Sequence, residues 1–491
     1  MMELSVIWDN IVEMLKFSPD APMVFSSGLF WVLFIIFLPI YAMLKNHRTK
    51  MMVFVVAFSL YFYYKSSGIF FLLLVGTSVF DWSLSRILVK QKKKSLRRLC
   101  VLLSIIASLG ILCYFKYSNF ILWNWAQIVN GNFQPLDIIL PVGISFYTFQ
   151  SISYIIDVYK ERVKPTDSWL EYAFFLSFFP ALVAGPIVRA DKFLPQIKEN
   201  RSATRDEVWL GLWMIILGVI KKAIIADYIS QYNDMIFLMP DSYNGAESLM
   251  GVIGYTMQIY CDFSGYSDMA IGIAMIMGYK LPANFNFPYK SKNIGEFWHR
   301  WHISLSSWLR DYVYIPLGGN RKGAKRTYLN NMATMLIGGL WHGASWKFIF
   351  WGGMHGVGLA VQKMFKPVTS RLPDKWIIKA VSWAMTISFV VLLWVFFRAE
   401  SWGEACYIIK NIFTNFDADY LPVFLDVRLV WCIFIGLLIV AHSLPARWWE
   451  RLGDGFVRMP WILKLVVFIV VIQLVLQFRG ESVSPFIYFQ F

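Results

Sequence analysis

Four of the six histidines in this chain, His299, His302, His342 and His355, fall between residues 299 and 355. Two of their settings are rich in tryptophan: Phe297-Trp298-His299-Arg300-Trp301-His302 and Leu340-Trp341-His342-Gly343. An ionisable side chain in an otherwise apolar, membrane-like stretch is a functional-site hypothesis by default. The bland alternative for each is a hydrogen bond to a carbonyl that holds two helices together, and the clustering favours chemistry over it. His342 follows Gly338-Gly339 and precedes Gly343-Ala344, small residues that let a backbone or a ligand come close. A poorly solvated passage disfavours the imidazolium, and a neutral imidazole can take the proton of a hydroxyl as that hydroxyl attacks a thioester. His299 and His302, three residues apart, are predicted to share a helix face. Two metal ligands could be arranged in the same way, but the pair alone is a thin basis for a metal site and none is expected.

The elements that must position these residues are membrane helices. The 491-residue chain is 57% hydrophobic and 16% charged, with a mean hydropathy of +0.52, where a soluble domain is about 25% charged. A spanning helix needs about 20 mostly apolar residues, so the apolar blocks predict an all-α polytopic membrane protein with about ten or more helices. The net charge of +15 is collected in loops between these blocks, which argues for the positive-inside rule and against nucleic acid. One basic loop holds Lys45, His47, Arg48 and Lys50, and the next holds Lys90, Lys92, Lys93, Lys94, Arg97 and Arg98. Two apolar segments separate them, so both face the cytoplasm, the N-terminus lies outside, and Lys160, Arg162 and Lys164 are cytoplasmic again. Beyond residue 165, short re-entrant helices spoil the count. Five scattered cysteines indicate neither a disulfide framework nor a zinc site. Glu3, Asp9 and Glu13, with no basic n-region, argue against a removable signal peptide.

Spans are expected near 24–44, 51–64, 68–89, 99–116, 138–159 and 168–184, and again near 376–397, 428–445 and 460–478. Between 185 and 360 the apolar stretches shorten, and Gly, Pro, His, Asn and charged residues appear. Such broken segments are tolerated where protein or a water-filled cavity covers the backbone, so 185–360 is expected to form the polar interior. The stretches around 116–137 and 398–427 are expected to be outward or interfacial excursions, 1–22 an interfacial segment, and 479–491 an aromatic tail. With no repeat or low-complexity linker, one membrane domain over 1–491 is the simplest division. Asp262, Ser264 and Asp268 read as a capped helix start, although a carboxylate beside a histidine would also fix its tautomer.

Several motifs, in order, resemble the membrane-bound O-acyltransferase family, and within it the membrane subunits of alginate and peptidoglycan O-acetylation systems. They are Leu140-Pro141-Val142-Gly143-Ile144-Ser145-Phe146, Phe179-Pro180 through Gly185-Pro186-Ile187-Val188-Arg189, Cys261 through Asp268, Phe297 through Ser304, Trp308 through Tyr312 with Pro316 through Asn320, and Gly339 through Gly343. The resemblance runs from about Met23 to the C-terminus. It implies a ring of tilted helices around a central passage, with cytoplasmic acetyl-CoA entering on one side and the acyl group leaving on the other. The family's near-invariant histidine matches His342, flanked by Trp341, and its second polar position matches His299, with His302 in the same motif. Asp191, after Arg189, matches an acidic position of the family. Arg300, Arg310, Arg321, Lys322, Lys325 and Arg326 crowd the segment between the two histidine motifs, where cations would meet the phosphates of coenzyme A; ordinary positive-inside residues are the alternative.

The implied function is an O-acetyltransferase of the bacterial inner membrane that moves acetyl from cytoplasmic acetyl-CoA for esterification of a cell-envelope polysaccharide. No cofactor is held; acetyl-CoA is the donor substrate. The implied partners are the lipid bilayer, an external serine-esterase-like (SGNH-type) acetyltransferase and, through it, a glycan acceptor. The tail Ser484 through Phe491 reads as an aromatic interfacial belt, and it also resembles C-terminal tyrosine motifs that accompany this group, which would make Tyr488 an acetyl carrier. Two rival readings are a transporter or channel, for which internal repeats would be usual, and a relative acylating teichoic acid, lipid or protein.

Overall fold

The computed structural model describes residues 2–19 and 21–478, so Tyr488 and the rest of the tail lie outside the described residues. Helices make up most of it, and no strand occurs among the described residues. The chain forms two compact units, one of residues 1–211 with 270–282 and the other of 212–269 with 283–491.

The first unit carries α1 (Met2–Leu15), α2 (Gly28–Leu44), α3 (Arg48–Ser67), α4 (Phe71–Lys90), α5 (Lys94–Leu112), α6 (Ser118–Ile128), α7 (Ile144–Tyr159), α8 (Trp169–Ser177), α9 (Phe179–Leu182) and α10 (Ala190–Glu199). The stretch 51–89, expected to hold two spans, forms α3 and α4, 20 residues each, within one continuous helical run, Arg48–Lys90. Gly68, with φ 59° and ψ −139°, divides them in a conformation that side chains disfavour. In the stretch around 116–137, expected to be an excursion, a π-helical segment, Cys113–Tyr117, carries α5 into α6, and the helix runs on to Ile128. Asp81 on α4 is buried and accepts hydrogen bonds from Ser104 (2.7 Å), Ser151 and Tyr172 (3.3 Å), which ties α4 to α5, α7 and α8.

The second unit continues α11 (Arg205–Val219) through the π-helical Ile220–Ala226 into α12 (Asp227–Leu238). Then come α13 (Gly245–Ile276), α14 (Ile294–Arg300), α15 (Ile303–Leu309), α16 (Gly323–His342), α17 (Trp346–Thr369), α18 (Trp376–Arg398), α19 (Trp402–Thr414), α20 (Tyr420–Val427), α21 (Leu429–Ser443), α22 (Ala446–Arg458) and α23 (Trp461–Phe478). Among the described residues, five continuous helical runs have the length and apolarity of membrane spans, six if the pair α20 and α21, bent by 92°, counts as one. One of the five, Arg205–Leu238, is 34 residues long and falls inside the stretch expected to hold only broken segments. It is apolar enough to span although Lys221 and Lys222 stand near its middle. In the fold both are neutralised: Lys221 pairs with Asp268 at 2.6 Å, and Lys222 pairs with Asp227 at 2.8 Å and with Asp262.

Those pairs correct the reading of Asp262, Ser264 and Asp268 as a helix start, because all three lie well inside the 32-residue α13. A side chain at Gly265 would come within 2.8 Å of the Gly218 carbonyl, and one at Gly218 within 2.5 Å of the Gly265 carbonyl. The two backbones cross closely there, and the carboxylates of α13 reach the lysines across that crossing.

Candidate active site

α16 ends on His342, and a short turn leads into α17, whose start is capped by the Ser345 side chain. The two helices press together at glycines: a Cβ on Gly339 would sit 2.2 Å from the Phe348 carbonyl, and one on Gly352 would sit 2.3 Å from the Met335 carbonyl. His342 is 2% exposed, and aromatic rings surround it nearly edge to face: Trp341 at 5.0 Å, Trp351 at 5.1 Å and Phe397 of α18 at 5.2 Å. Aromatic rings favour such T-shaped contacts. As the last residue of a 20-residue helix, His342 also stands where the helix dipole favours positive charge, which suits a base that becomes cationic as it takes a proton.

His299 and His302 do not share a helix face, a correction to the sequence reading. α14 ends at Arg300, and His302 takes the left-handed conformation, φ 42°, that begins α15. His302 is fully buried. Its ring meets Phe263 at 4.6 Å and Trp341 at 5.8 Å, so Trp341 lies against both His302 and His342. Burial between two seven-residue helices pushes the His302 imidazole down to about 3, leaving it neutral. His299 is exposed, and its Nδ1 lies 2.6 Å from the Gly295 carbonyl of its own helix. His355 extends the aromatic series: Trp351 lies 4.7 Å from its ring, and Trp298 donates to its Nδ1 at 3.3 Å.

The other residues singled out are dispersed. Asp262 is held by Lys222. Asp191, in the first unit, stands in the first turn of α10 with its side chain 40% exposed and Lys192 at 3.7 Å. Arg300 is engaged by Glu296 at 2.9 Å and by the Asn286 carbonyl at 3.0 Å. Arg310 is 61% exposed and hydrogen-bonds Asp311 at 2.8 Å, which raises its already high pKa. Arg321, Lys322, Lys325 and Arg326 are exposed at and just before the first turn of α16. No group of three or more potential metal ligands occurs among the described residues.

Sequence reasoning did not select Trp351, Phe397 or Asn284. Trp351 could have been found, since it precedes His355 by four residues and therefore shares its helix face. Phe397 reaches His342 from a plain span and carries no local signal.

Two buried histidines, His302 and His342, each lie against the ring of Trp341 in a helical protein with several apolar spans, which defines a polytopic membrane protein with ionisable groups sheltered from water. Residues 160–399 match the membrane-bound O-acyltransferase family. The chain is 36% identical to a probable alginate O-acetylase of Pseudomonas putida, over 96% of its own length and all of that protein. It is 40% identical to the peptidoglycan O-acetyltransferase of Helicobacter pylori over 72% of each chain. It is 30% identical to the teichoic acid D-alanyltransferase of Bacillus subtilis over 55% of this chain and 70% of that one. The chain belongs to the membrane-bound O-acyltransferase family and is an acyltransferase.

Proposed function

We propose that this protein takes acetyl from cytoplasmic acetyl-CoA at the bacterial inner membrane and passes it outward for O-acetylation of a cell-envelope polysaccharide. The observation that carries the reading is the buried arrangement of His342, Trp341 and His302, in a chain similar over nearly its whole length to a polysaccharide O-acetylase. In the reaction His342 accepts the proton of the attacking hydroxyl, and the new ester forms as the thioester C–S bond breaks. The departing thiolate of coenzyme A takes up that proton. His302, neutral and buried, orients the reacting groups, a role that the exposed His299 is less well placed to fill. Asp191 is assigned a supporting role by family resemblance alone.

The exposed Arg321, Lys322, Lys325 and Arg326 stand at one end of α16 and His342 at the other, about 30 Å apart for a 20-residue helix. An elongated donor, with phosphates at one end and a thioester at the other, suits that separation. Cations in a helix's first turn oppose its dipole, and a bound phosphate relieves that conflict. The acceptor side calls for a partner outside the membrane, an SGNH-type acetyltransferase that delivers acetyl to the glycan. The test is reconstituted protein given radiolabelled acetyl-CoA, with the label then located on the chain, a partner or glycan. His342→Ala is expected to lower transfer by roughly a hundred- to ten-thousand-fold, with His302→Ala more damaging than His299→Ala. Transfer by His342→Ala within a few-fold of wild type would end the assignment.

A further inference from the structure

His302 sits in a backbone conformation that a non-glycine residue adopts at a cost unless its surroundings over-determine it, and Asn284 contributes to that determination through both its backbone and its side chain. Asn284 is 1% exposed. Its backbone carbonyl accepts from the N–H of Ile303 at 2.9 Å. Its side-chain Oδ1 accepts from the Ser304 hydroxyl at 2.6 Å and from the Ser304 N–H at 3.4 Å. Its Nδ2 donates to Ser267 Oγ on α13 at 3.1 Å. The two residues that follow His302 are thus anchored through Asn284 to α13. Phe263, one helical turn before Ser267, presents its ring to His302.

From this clamp we infer that Asn284 is a positioning residue for the acyl-transfer reaction, fixing the His302 imidazole against Trp341, whose ring also meets His342. Resting on the proposed role of His302, the inference goes beyond it by naming the group through which the fold sets that ring. Both faces of the amide are used, so aspartate is a poor substitute: it keeps the oxygen for Ser304, forces the Ser267 hydroxyl to turn from acceptor to donor and buries a carboxylate at a site 1% exposed.

The test measures release of coenzyme A from acetyl-CoA by the reconstituted protein, with Asn284→Ala and Asn284→Asp made in the wild-type chain and in a His302→Ala chain. A misplacement of about 1 Å in a reacting group can lower a rate by about a hundredfold. In the wild-type chain, kcat should therefore fall roughly ten- to a hundredfold while KM for acetyl-CoA stays within a few-fold. In the His302→Ala chain the same changes should lower kcat no further, since non-additivity is the mark of residues acting through one group. Ser304→Ala removes one hydrogen bond of the clamp and should show the same pattern more mildly if the Asn284 variants fold poorly. Equal losses in both backgrounds, or a rise in KM with kcat unchanged, would overturn the inference and leave Asn284 as scaffold. A silent His302→Ala change would overturn the inference together with the site reading beneath it.

Discussion

Gly352→Ala adds one methyl group where α16 and α17 press closely together. Its Cβ would stand 2.3 Å from the Met335 carbonyl oxygen and 3.0 Å from the Gly339 Cα. Carbon and oxygen normally approach no closer than about 3.3 Å, so the helices must part locally by about 1 Å. Overpacking of this kind destabilises by about 1–3 kcal/mol. The adjacent Trp351 forms one wall of the His342 site at 5.1 Å, and a displacement of about 1 Å near reacting groups can lower the rate by about a hundredfold. Gly353→Ala is the control, because its Cβ would meet Leu336 Cδ2 at an ordinary 3.4 Å. There the better helix propensity of alanine, worth up to about 1 kcal/mol, should leave the protein as stable or slightly more so. The assay compares acetyl transfer in liposomes and the thermal midpoint in detergent for the two variants. If Gly352→Ala were as active and as stable as Gly353→Ala, the close approach of these helices would not be what holds His342 in place.

Three further outcomes are expected. Lys222→Met leaves the buried Asp262 and the half-buried Asp227 without their cation, a class of change that destabilises by about 3–5 kcal/mol, so folded protein recovered from membranes should drop sharply, and normal yield would contradict the pairing. Arg321→Glu should raise KM for acetyl-CoA more than it lowers kcat, since contacts remote from the thioester contribute uniform binding; an unchanged KM, with insertion verified, would return this residue to loop topology. Tyr488→Phe keeps an anchoring ring and removes the hydroxyl, so glycan acetylation should stop and wild-type protein should carry acetate on Tyr488 by mass spectrometry; normal acetylation would leave the tail as an anchor.

What the sequence disclosed follows from the range over which each feature is determined. Apolar spans and the histidine of Leu340-Trp341-His342-Gly343 are local, and a reading by composition and small-residue context reaches them. The separation of His299 from His302 is not local. Nothing between Phe297 and Ser304 marks a helix break, and the residues after the left-handed turn at His302 are held by Asn284, which lies outside that segment. The pattern Asp262-Phe263-Ser264 has the chemistry of a cap, and its true use depends on lysines from another helix. In each case a polar residue was misread because its partner was distant.

These misread residues share one physical role. Buried ion pairs add little net stability, because desolvating both charges offsets most of their attraction. What they supply here is register. Sliding α13 by one turn would take Asp268 from Lys221 and Asp262 from Lys222 together, stranding charges in an apolar interior. The glycine crossing at Gly218 and Gly265 blocks the other escape, since neither helix can rotate a side chain into that contact. A different face of α13 carries Phe263 and Ser267, four residues apart and therefore aligned, one against His302 and the other bonded to Asn284. The ion pairs set where α13 stands, α13 sets the clamp, and the clamp sets His302 beside Trp341. Charge placed inside a membrane helix thus acts on the candidate site without touching it, which is why its removal should cost folded protein first and transfer chemistry second.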